Sequence, residues 1–144
     1  MEVKFKPSVY SLKDFDGILR KNKLDVLQIL RQLKGDDSLP LVYETKNTCD
    51  LSYAGTLFIA KRKGIKAEVV LGKKASARVV SVARAHNPKT KITQVGAASY
   101  PITIHFGDSV ISHIVGRLAI RNAIEKVVPR PEVLAFIYKA TNFH

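Results

Sequence analysis

The 144-residue chain has little of what several classes of protein require. Cys49 is its only cysteine, so the chain has no second thiol for an internal disulfide or a thiolate zinc site. No apolar run approaches the roughly 18 to 20 residues of a membrane span, and the charged start lacks the apolar core of a signal peptide. We therefore expect no membrane partner and an intracellular location, either cytoplasmic or nucleoid-associated.

Sequence motifs for metal or nucleotide chemistry are also missing. The chain has no H-x-H or H-E-x-x-H spacing, the patterns by which paired histidines hold a zinc ion. It has no G-x-x-x-x-G-K-[ST] loop, the motif whose backbone cradles the phosphates of a bound nucleotide. We therefore expect no metal, no cofactor and no ATP-driven activity.

Acidic residues are scarce, and the resulting excess of positive charge is concentrated in one part of the chain. The chain has 24 basic and 12 acidic residues, which gives a formal net charge of +12. Residues 1–40 and 108–144 each have a net charge of +2, whereas residues 41–107 have a net charge of +8. A segment with one sign of charge repels itself on folding, and its field suits a polyanionic partner. The sequence therefore favours nucleic acid as the partner.

The basic residues of the central segment are concentrated between positions 61 and 91, where Glu68 is the only acid. At the tips and ends of β-hairpins, lysine and arginine side chains can follow a phosphate backbone without reading the base sequence. We predict phosphate contacts from ten of these residues: Lys61, Arg62, Lys63, Lys66, Lys73, Lys74, Arg78, Arg84, Lys89 and Lys91.

Aromatic side chains are absent from the charged segment, since none occurs between Phe58 and Tyr100. Proteins that bind single strands usually combine charge with stacking, and each stacked base contributes about 1–3 kcal/mol. Tyr53 and Tyr100 flank the segment, so we predict that they stack on unpaired bases. Duplex or structured RNA needs fewer aromatic contacts, and it stays open as a partner.

Helical signals lie at both ends of the chain. Residues 11–35 have the pattern of two short helices, the second beginning at Asn22 and ending at Gly35. A long helix is predicted over 109–128 and a short one over 132–140. The long helix has an apolar stripe at helical spacing, formed by Ile111, Ile114, Val115, Leu118 and Val127.

The long helix also carries His113, Arg117 and Arg121 at four-residue intervals. Side chains at this spacing are neighbours on the surface of a helix. We therefore predict one exposed row, in which Arg117 and Arg121 add a second set of phosphate contacts.

The centre of the chain has the pattern of an antiparallel sheet, because β-branched residues dominate it and glycine or Asn-Pro recurs every eight to twelve residues. Alternation within one predicted strand places Val79 and Ala83 on one face and Arg78 and Arg84 on the other. The predicted strands are 41–44, 56–62, 66–71, 75–84, 91–95 and 102–106, and the predicted turns are Lys63-Gly64, Gly72-Lys73 and Asn87-Pro88.

These signals together predict a single α+β domain over residues 1–144. We expect N-terminal helices over 1–40 and a basic antiparallel meander of five or six strands over 41–107. The remaining residues, 108–144, are expected to be helical, with the long helix packed on one face of the sheet.

The function that follows is non-enzymatic binding of nucleic acid, with single-stranded DNA or RNA preferred. Basic hairpins would contact phosphates, the two tyrosines would add limited stacking, and a homo-oligomer would lengthen the binding track. Two alternatives stay open. One is a small metal-independent ribonuclease or toxin that uses His105 or His113, and the other is a basic structural protein that docks an acidic protein partner.

Overall fold

Helices and strands are mixed along the chain, which confirms the predicted α+β class. The computed structural model describes residues 21–35, 40–44, 49–102 and 107–141. Within these ranges, the helices are α1 (Lys21–Leu33), α2 (Tyr53–Lys63), α3 (Asp108–Val127) and α4 (Arg130–Thr141). The strands are β1 (Val42–Glu44), β2 (Cys49–Leu51), β3 (Lys66–Ala75), β4 (Arg78–Asn87) and β5 (Ile92–Pro101).

The described strands form two small antiparallel sheets rather than one sheet of five or six strands. β1 pairs with β2, and the second sheet has the strand order β3-β4-β5. Residues 56–62, expected as a strand, belong to helix α2, and β1 pairs with β2, a strand that was not predicted, instead of joining the three-stranded sheet. In the predicted strand at 102–106, Ile102 lies just past the end of β5 and residues 103–106 fall outside the described ranges.

The chain forms two compact units. The first unit consists of residues 1–58 and 129–144, and the second unit consists of residues 59–128. The expectation of a single domain over residues 1–144 stays a prediction.

In the first unit, α1 corresponds to the second predicted N-terminal helix. Its predicted stop is confirmed, because Gly35 has φ +91° and its N–H donates to the Gln32 carbonyl at 2.9 Å. Glycine favours this positive φ and ends helices for that reason. The first predicted helix, beginning at residue 11, and the side chain of Asn22 lie outside the described part of the chain.

Side chains of α1 satisfy the backbone N–H groups at the start of α2. The Tyr53 N–H donates to Asp25 Oδ1 at 2.8 Å, and the Ala54 N–H donates to Gln28 Oε1 at 3.0 Å. The Tyr43 hydroxyl also donates to Asp25 Oδ1. The first N–H groups of a helix have no partner within it, and a negative charge beside them complements the helix dipole. These contacts therefore stabilise the helical conformation of the chain from Tyr53 onward.

Ser52, the residue before α2, also caps the helix, because its Oγ accepts from the Gly55 N–H at 3.0 Å. Tyr53, Thr56 and Ile59 are buried three residues apart, as expected for one face of a helix. The capped start and this spacing outweigh the strand preference of the β-branched residues, which is a weak local tendency.

The rest of the first unit includes the β1–β2 ladder and α4. Val42 pairs with Leu51, which confirms the first predicted strand, and α4 packs on both strands. Cys49 lies in β2 and is half-buried. The rings of Phe58 and Phe136 pack with their centroids 5.7 Å apart.

In the second unit, β3 and β4 form a long hairpin. The predicted turn at Gly72-Lys73 is wrong, because both residues lie within β3. The chain turns instead at Ser76 and Ala77, where Ser76 has φ +53°. A bulge at Val70 interrupts the pairing of β3 with β4.

The predicted turn at Asn87-Pro88 is confirmed, and it connects β4 to β5. The Asn87 carbonyl accepts from the Lys91 N–H at 2.8 Å, and its side-chain oxygen accepts from the Lys89 N–H at 3.0 Å. The Asn87 amide also donates to the Val127 carbonyl at 2.8 Å. One buried asparagine therefore fixes the turn and satisfies a carbonyl at the end of α3.

Helix α3 packs on one face of the three-stranded sheet, as predicted, and all five residues of its predicted apolar stripe are buried. Val79 and Ala83 face the helix, whereas Arg78 and Arg84 are exposed, so the predicted alternation in β4 is confirmed. Helix α4 begins two residues earlier and ends one residue later than the predicted span of 132–140. None of the helices in the described ranges is long and apolar enough to cross a membrane.

Candidate nucleic-acid interface

The second unit holds most of the positive charge of the chain. Residues 59–128 contain thirteen basic and three acidic residues, a net charge of +10 out of +12. Each of the three carboxylates is paired: Arg84 Nη2 lies 2.9 Å from Glu68 Oε1, Lys74 Nζ lies 3.0 Å from Asp108 Oδ2, and Arg121 Nη2 lies 2.8 Å from Glu125 Oε2.

Three of the predicted site residues lie in the last turn of α2 rather than at a hairpin. Lys61, Arg62 and Lys63 end this helix, where positive charge complements the helix dipole. Gly64 then has φ +68°, and the Ile65 N–H donates to the Ala60 carbonyl at 2.9 Å. This is the hydrogen-bond pattern of a Schellman motif, which reverses the chain directly into β3.

The end of α2 lies next to the β4–β5 turn. A Cβ added to Gly64 would be 3.7 Å from Pro88 Cγ, which is ordinary van der Waals contact. The turn itself carries Lys89 and Lys91, and the first residue of β3, Lys66, pairs with His86 at the end of β4. Three separate segments therefore meet at one end of the second unit. We name this group the cationic end: Lys61, Arg62, Lys63, Lys66, Lys89 and Lys91.

The cationic end differs from the other basic residues in its ion pairing. In the described ranges, Lys61, Lys66, Lys89 and Lys91 form no ion pair with a carboxylate, and all four are exposed. By contrast, acids partly offset the charges of Lys74 and Arg84. The strongest positive field of the unit is therefore expected around the cationic end.

The β3–β4 hairpin holds the remaining basic residues of the sheet. Its tip residues, Ser76 and Ala77, are uncharged, so the expectation of basic hairpin tips is wrong at this turn. Lys73 and Lys74 precede the tip, and Arg78 follows it. Arg78 donates to the Ser99 hydroxyl from Nε at 3.3 Å and from Nη2 at 3.0 Å.

The face of the sheet opposite α3 is open to solvent. Its exposed apolar side chains include Leu71, which is 55% exposed, and Val95, which is 48% exposed. The register defines this open face as Lys66, Glu68, Leu71, Lys73 and Ala75 from β3, Arg78, Val80, Val82, Arg84 and His86 from β4, and Thr93, Val95, Ala97, Ser99 and Pro101 from β5.

The two predicted stacking residues are not on the open face. Tyr53 belongs to the first unit and is 2% exposed, so its ring has no face for a base and the predicted stacking role is wrong. Tyr100 lies on the α3 side of β5, where it packs against Val79, Ile111 and Val115.

The predicted row on α3 is exposed only at its beginning. His113 is exposed, Arg117 is half-buried and Arg121 is 4% exposed, with Arg121 paired to Glu125. With 3.6 residues per turn, each four-residue step rotates the side chain by about 40°. Two steps carry the row from the exposed side to a buried one, so the predicted exposed position of Arg121 is wrong. His105 lies outside the described ranges.

Two contacts at the edge of the sheet were not predicted. The Asn122 amide donates to the Ala97 carbonyl at 2.9 Å, and Lys126 Nζ donates to the Val95 carbonyl at 2.9 Å. Both acceptors belong to β5, so α3 covers the outer edge of this strand as well as one face of the sheet. The residues lie four apart on α3, but the sequence contains no signal for their acceptors.

No protein-family model matches the chain, and a comparison with curated proteins finds no similar sequence. Among the described residues, no three histidine, cysteine, aspartate or glutamate side chains form a group able to hold a metal ion.

Proposed function

We propose that the protein binds nucleic acid through phosphate contacts at the cationic end, without enzymatic activity. The observation that supports this proposal is the meeting of six basic residues from three segments in a unit whose three acids are all paired elsewhere. Lysine and arginine side chains that neutralise phosphates release condensed counterions, which drives binding in proportion to the number of contacts. A cytoplasmic or nucleoid-associated location and a homo-oligomeric state belong to this proposal.

Single-stranded DNA or RNA is the preferred partner. Duplex readers of the helix-turn-helix type place an exposed helix in the major groove. In the second unit, α3 is packed on the sheet, and its most buried arginine, Arg121, is paired with Glu125. The basic turn of α2 leads directly into β3, so its lysines lie beside strands rather than on a projecting helix.

The test is fluorescence anisotropy of labelled single-stranded and duplex oligonucleotides of equal length, measured across a salt series. We expect the single strand to bind more tightly, with log affinity falling against log salt by about 0.7 for each neutralised phosphate. Contacts from all six residues of the cationic end would give a slope of about −4. Tighter binding of the duplex would contradict the preference for single strands.

A charge-matched pair of variants separates a local site from net charge. The triple variant Lys66→Gln, Lys89→Gln, Lys91→Gln should reduce the magnitude of the salt slope by about 2. The control removes three exposed basic residues of the first unit, Lys34→Gln, Arg130→Gln, Lys139→Gln, and should leave the slope nearly unchanged. Equal losses in the two variants would contradict a site at the cationic end.

The two alternatives are tested with the same samples. Cleaved RNA on a denaturing gel, lost in a His105→Ala or a His113→Ala variant, would replace the binding proposal with a ribonuclease. Failure of every oligonucleotide to bind at low salt would instead favour an acidic protein partner.

A further inference from the structure

The open face has basic residues at its two ends and, between them, apolar residues together with the Arg84–Glu68 ion pair. At one end, Lys66 pairs with His86, and at the other, Lys73 and Arg78 lie near the β3–β4 turn. Between them, Leu71 pairs with Val82, which in turn pairs with Ala97. The apolar centre of the open face consists of Leu71, Val80, Val82, Val95 and Ala97.

This arrangement matches the chemistry of an unpaired nucleic-acid strand. Such a strand has negative phosphates and flat, weakly polar bases, and proteins bind it with charge for the backbone and apolar contact for the bases. The open face carries four basic residues and the single acid Glu68, which is already paired with Arg84 at 2.9 Å. A duplex keeps its bases stacked inside the helix, so they could not contact the apolar centre.

The size of the open face suits several nucleotides. His86 and Arg78 lie eight residues apart on β4, which corresponds to about 27 Å at the rise of an antiparallel strand. The first of these residues pairs with Lys66 of the cationic end, so the positive field continues from the cationic end onto the sheet.

We infer that a single strand of DNA or RNA, held at the cationic end, continues across the open face with its bases on the apolar centre and its phosphates near Lys66, Lys73 and Arg78. This inference rests on the proposed function. It assigns base contact to aliphatic side chains, because neither predicted tyrosine lies on this face. Buried apolar area, rather than aromatic stacking, would then distinguish unpaired from paired bases.

The open edge of β3 is a less suitable surface for a second copy of the chain. The bulge at Val70 breaks the regular spacing of its backbone, and the strand carries Lys66, Glu68, Lys73 and Lys74. Bulges and charged side chains are the devices by which natural edge strands avoid pairing with one another.

Two strands of equal length test the inference, an oligothymidylate and an abasic strand with the same phosphates and no bases. A length of about 12 nucleotides lies within the range that small single-strand-binding folds cover. We expect the oligothymidylate to bind about tenfold more tightly at fixed salt, with similar salt slopes for the two strands. Equal affinities would overturn the inference and leave the proposed function intact, whereas failure of both strands to bind would overturn both.

Matched leucine variants locate the base contact. Leu71→Gln should weaken oligothymidylate binding about three- to tenfold and leave the salt slope and the abasic strand unaffected. Leu134→Gln, at a similarly exposed leucine of α4, should change none of these values. Val95→Thr, which replaces a methyl by a hydroxyl at nearly constant volume, should act in the same direction as Leu71→Gln. Unchanged oligothymidylate binding in both open-face variants would overturn the inference.

Discussion

Gly96 of β5 lies in direct contact with the backbone of Ala123 in α3. A Cβ added to Gly96 would be 2.7 Å from the Cα of Ala123, which is closer than real Cβ atoms approach other atoms. Both residues are buried, and Ala123 has no exposed surface. The helix can therefore lie this close to the sheet only because glycine occupies this position.

Replacing Gly96 should destabilise the second unit strongly. In a Gly96→Ala variant, the added methyl group would meet helix backbone that cannot move aside as a flexible side chain would. We expect the free energy of unfolding to fall by about 3 kcal/mol, at the upper end of the range for overpacked cores. Urea denaturation followed by circular dichroism measures the change.

Gly72→Ala is the control for this prediction. Gly72 lies in β3, and a Cβ there would be 3.8 Å from Ser81 Oγ, an ordinary contact. Its substitution should change stability by no more than about 1 kcal/mol, because alanine fits and restricts the unfolded chain. A loss at Gly72 as large as that at Gly96 would contradict the close packing of α3.

The carboxylate of Asp25 should contribute measurably to the stability of the first unit. It accepts from the Tyr53 N–H at 2.8 Å and from the Tyr43 hydroxyl, and it is fully buried. Asp25→Ala leaves two buried donors without this acceptor, so we expect a loss of about 3 kcal/mol in urea denaturation. Asp108→Ala, which removes an exposed ion pair with Lys74, should cost less than about 1 kcal/mol. Similar losses in both variants would contradict the capping role of Asp25.

Lys91 should lower the stability of the protein and strengthen its binding to single strands. It has φ +60°, a conformation that costs a residue with a side chain about 1–2 kcal/mol, and it belongs to the cationic end. Lys91→Gly should relieve this strain, but glycine also gains entropy in the unfolded chain, which offsets part of the gain in stability. We therefore expect the free energy of unfolding to rise by up to about 1 kcal/mol. The same substitution should weaken single-strand binding and reduce the magnitude of the salt slope by about 0.7.

Ser76→Gly separates the two effects. Ser76 has φ +53°, so glycine should relieve strain here as it does at Lys91, but the substitution removes no charge. We expect greater stability with unchanged affinity and salt slope. A comparable loss of binding in Ser76→Gly would show that turn geometry, rather than the charge of Lys91, governs the affinity.

The elements predicted well are those whose signal is local and repeated. The apolar stripe from Ile111 to Val127 predicted α3 to within one residue at each end, and Gly35 marked the end of α1. Alternation predicted the two faces of β4 because one face is buried under α3 and the other is open. In each case, the residues that make the pattern are the residues that make the contacts.

Helix α2 was missed because part of what stabilises it lies elsewhere in the chain. Thr56 and Ile59 favour a strand locally, whereas Asp25 and Gln28 of α1 cap its first turn from 28 and 26 residues away. A signal was nevertheless present in the basic last turn followed by Gly64, which is a common helix ending. The error added a strand to the predicted meander and placed three basic residues on a hairpin instead of a helix end.

The composition of the sequence located the candidate site, but it did not predict the geometry of the site. Charge counting identified the segment from Lys61 to Lys91, but the sequence does not show that Gly64, at the end of α2, lies next to Pro88 in the β4–β5 turn. Burial of Tyr53 and the rotation of Arg121 to a buried side of α3 both depend on tertiary packing. Alternation assigned the open face of β4 correctly, but it did not identify the apolar centre as a separate surface.

The path of the chain determines which of the two units can be completed first during synthesis. The second unit is a single continuous stretch, residues 59–128, whereas the first needs its last helix, α4, to contact β1 and β2. A ribosome that makes the chain from its N-terminus has therefore completed the second unit before α4 exists. Domains fold as units while they emerge, so we expect the cationic end to assemble while the first unit is still incomplete. A nascent chain at that stage would already carry the basic surface, in a compartment rich in RNA.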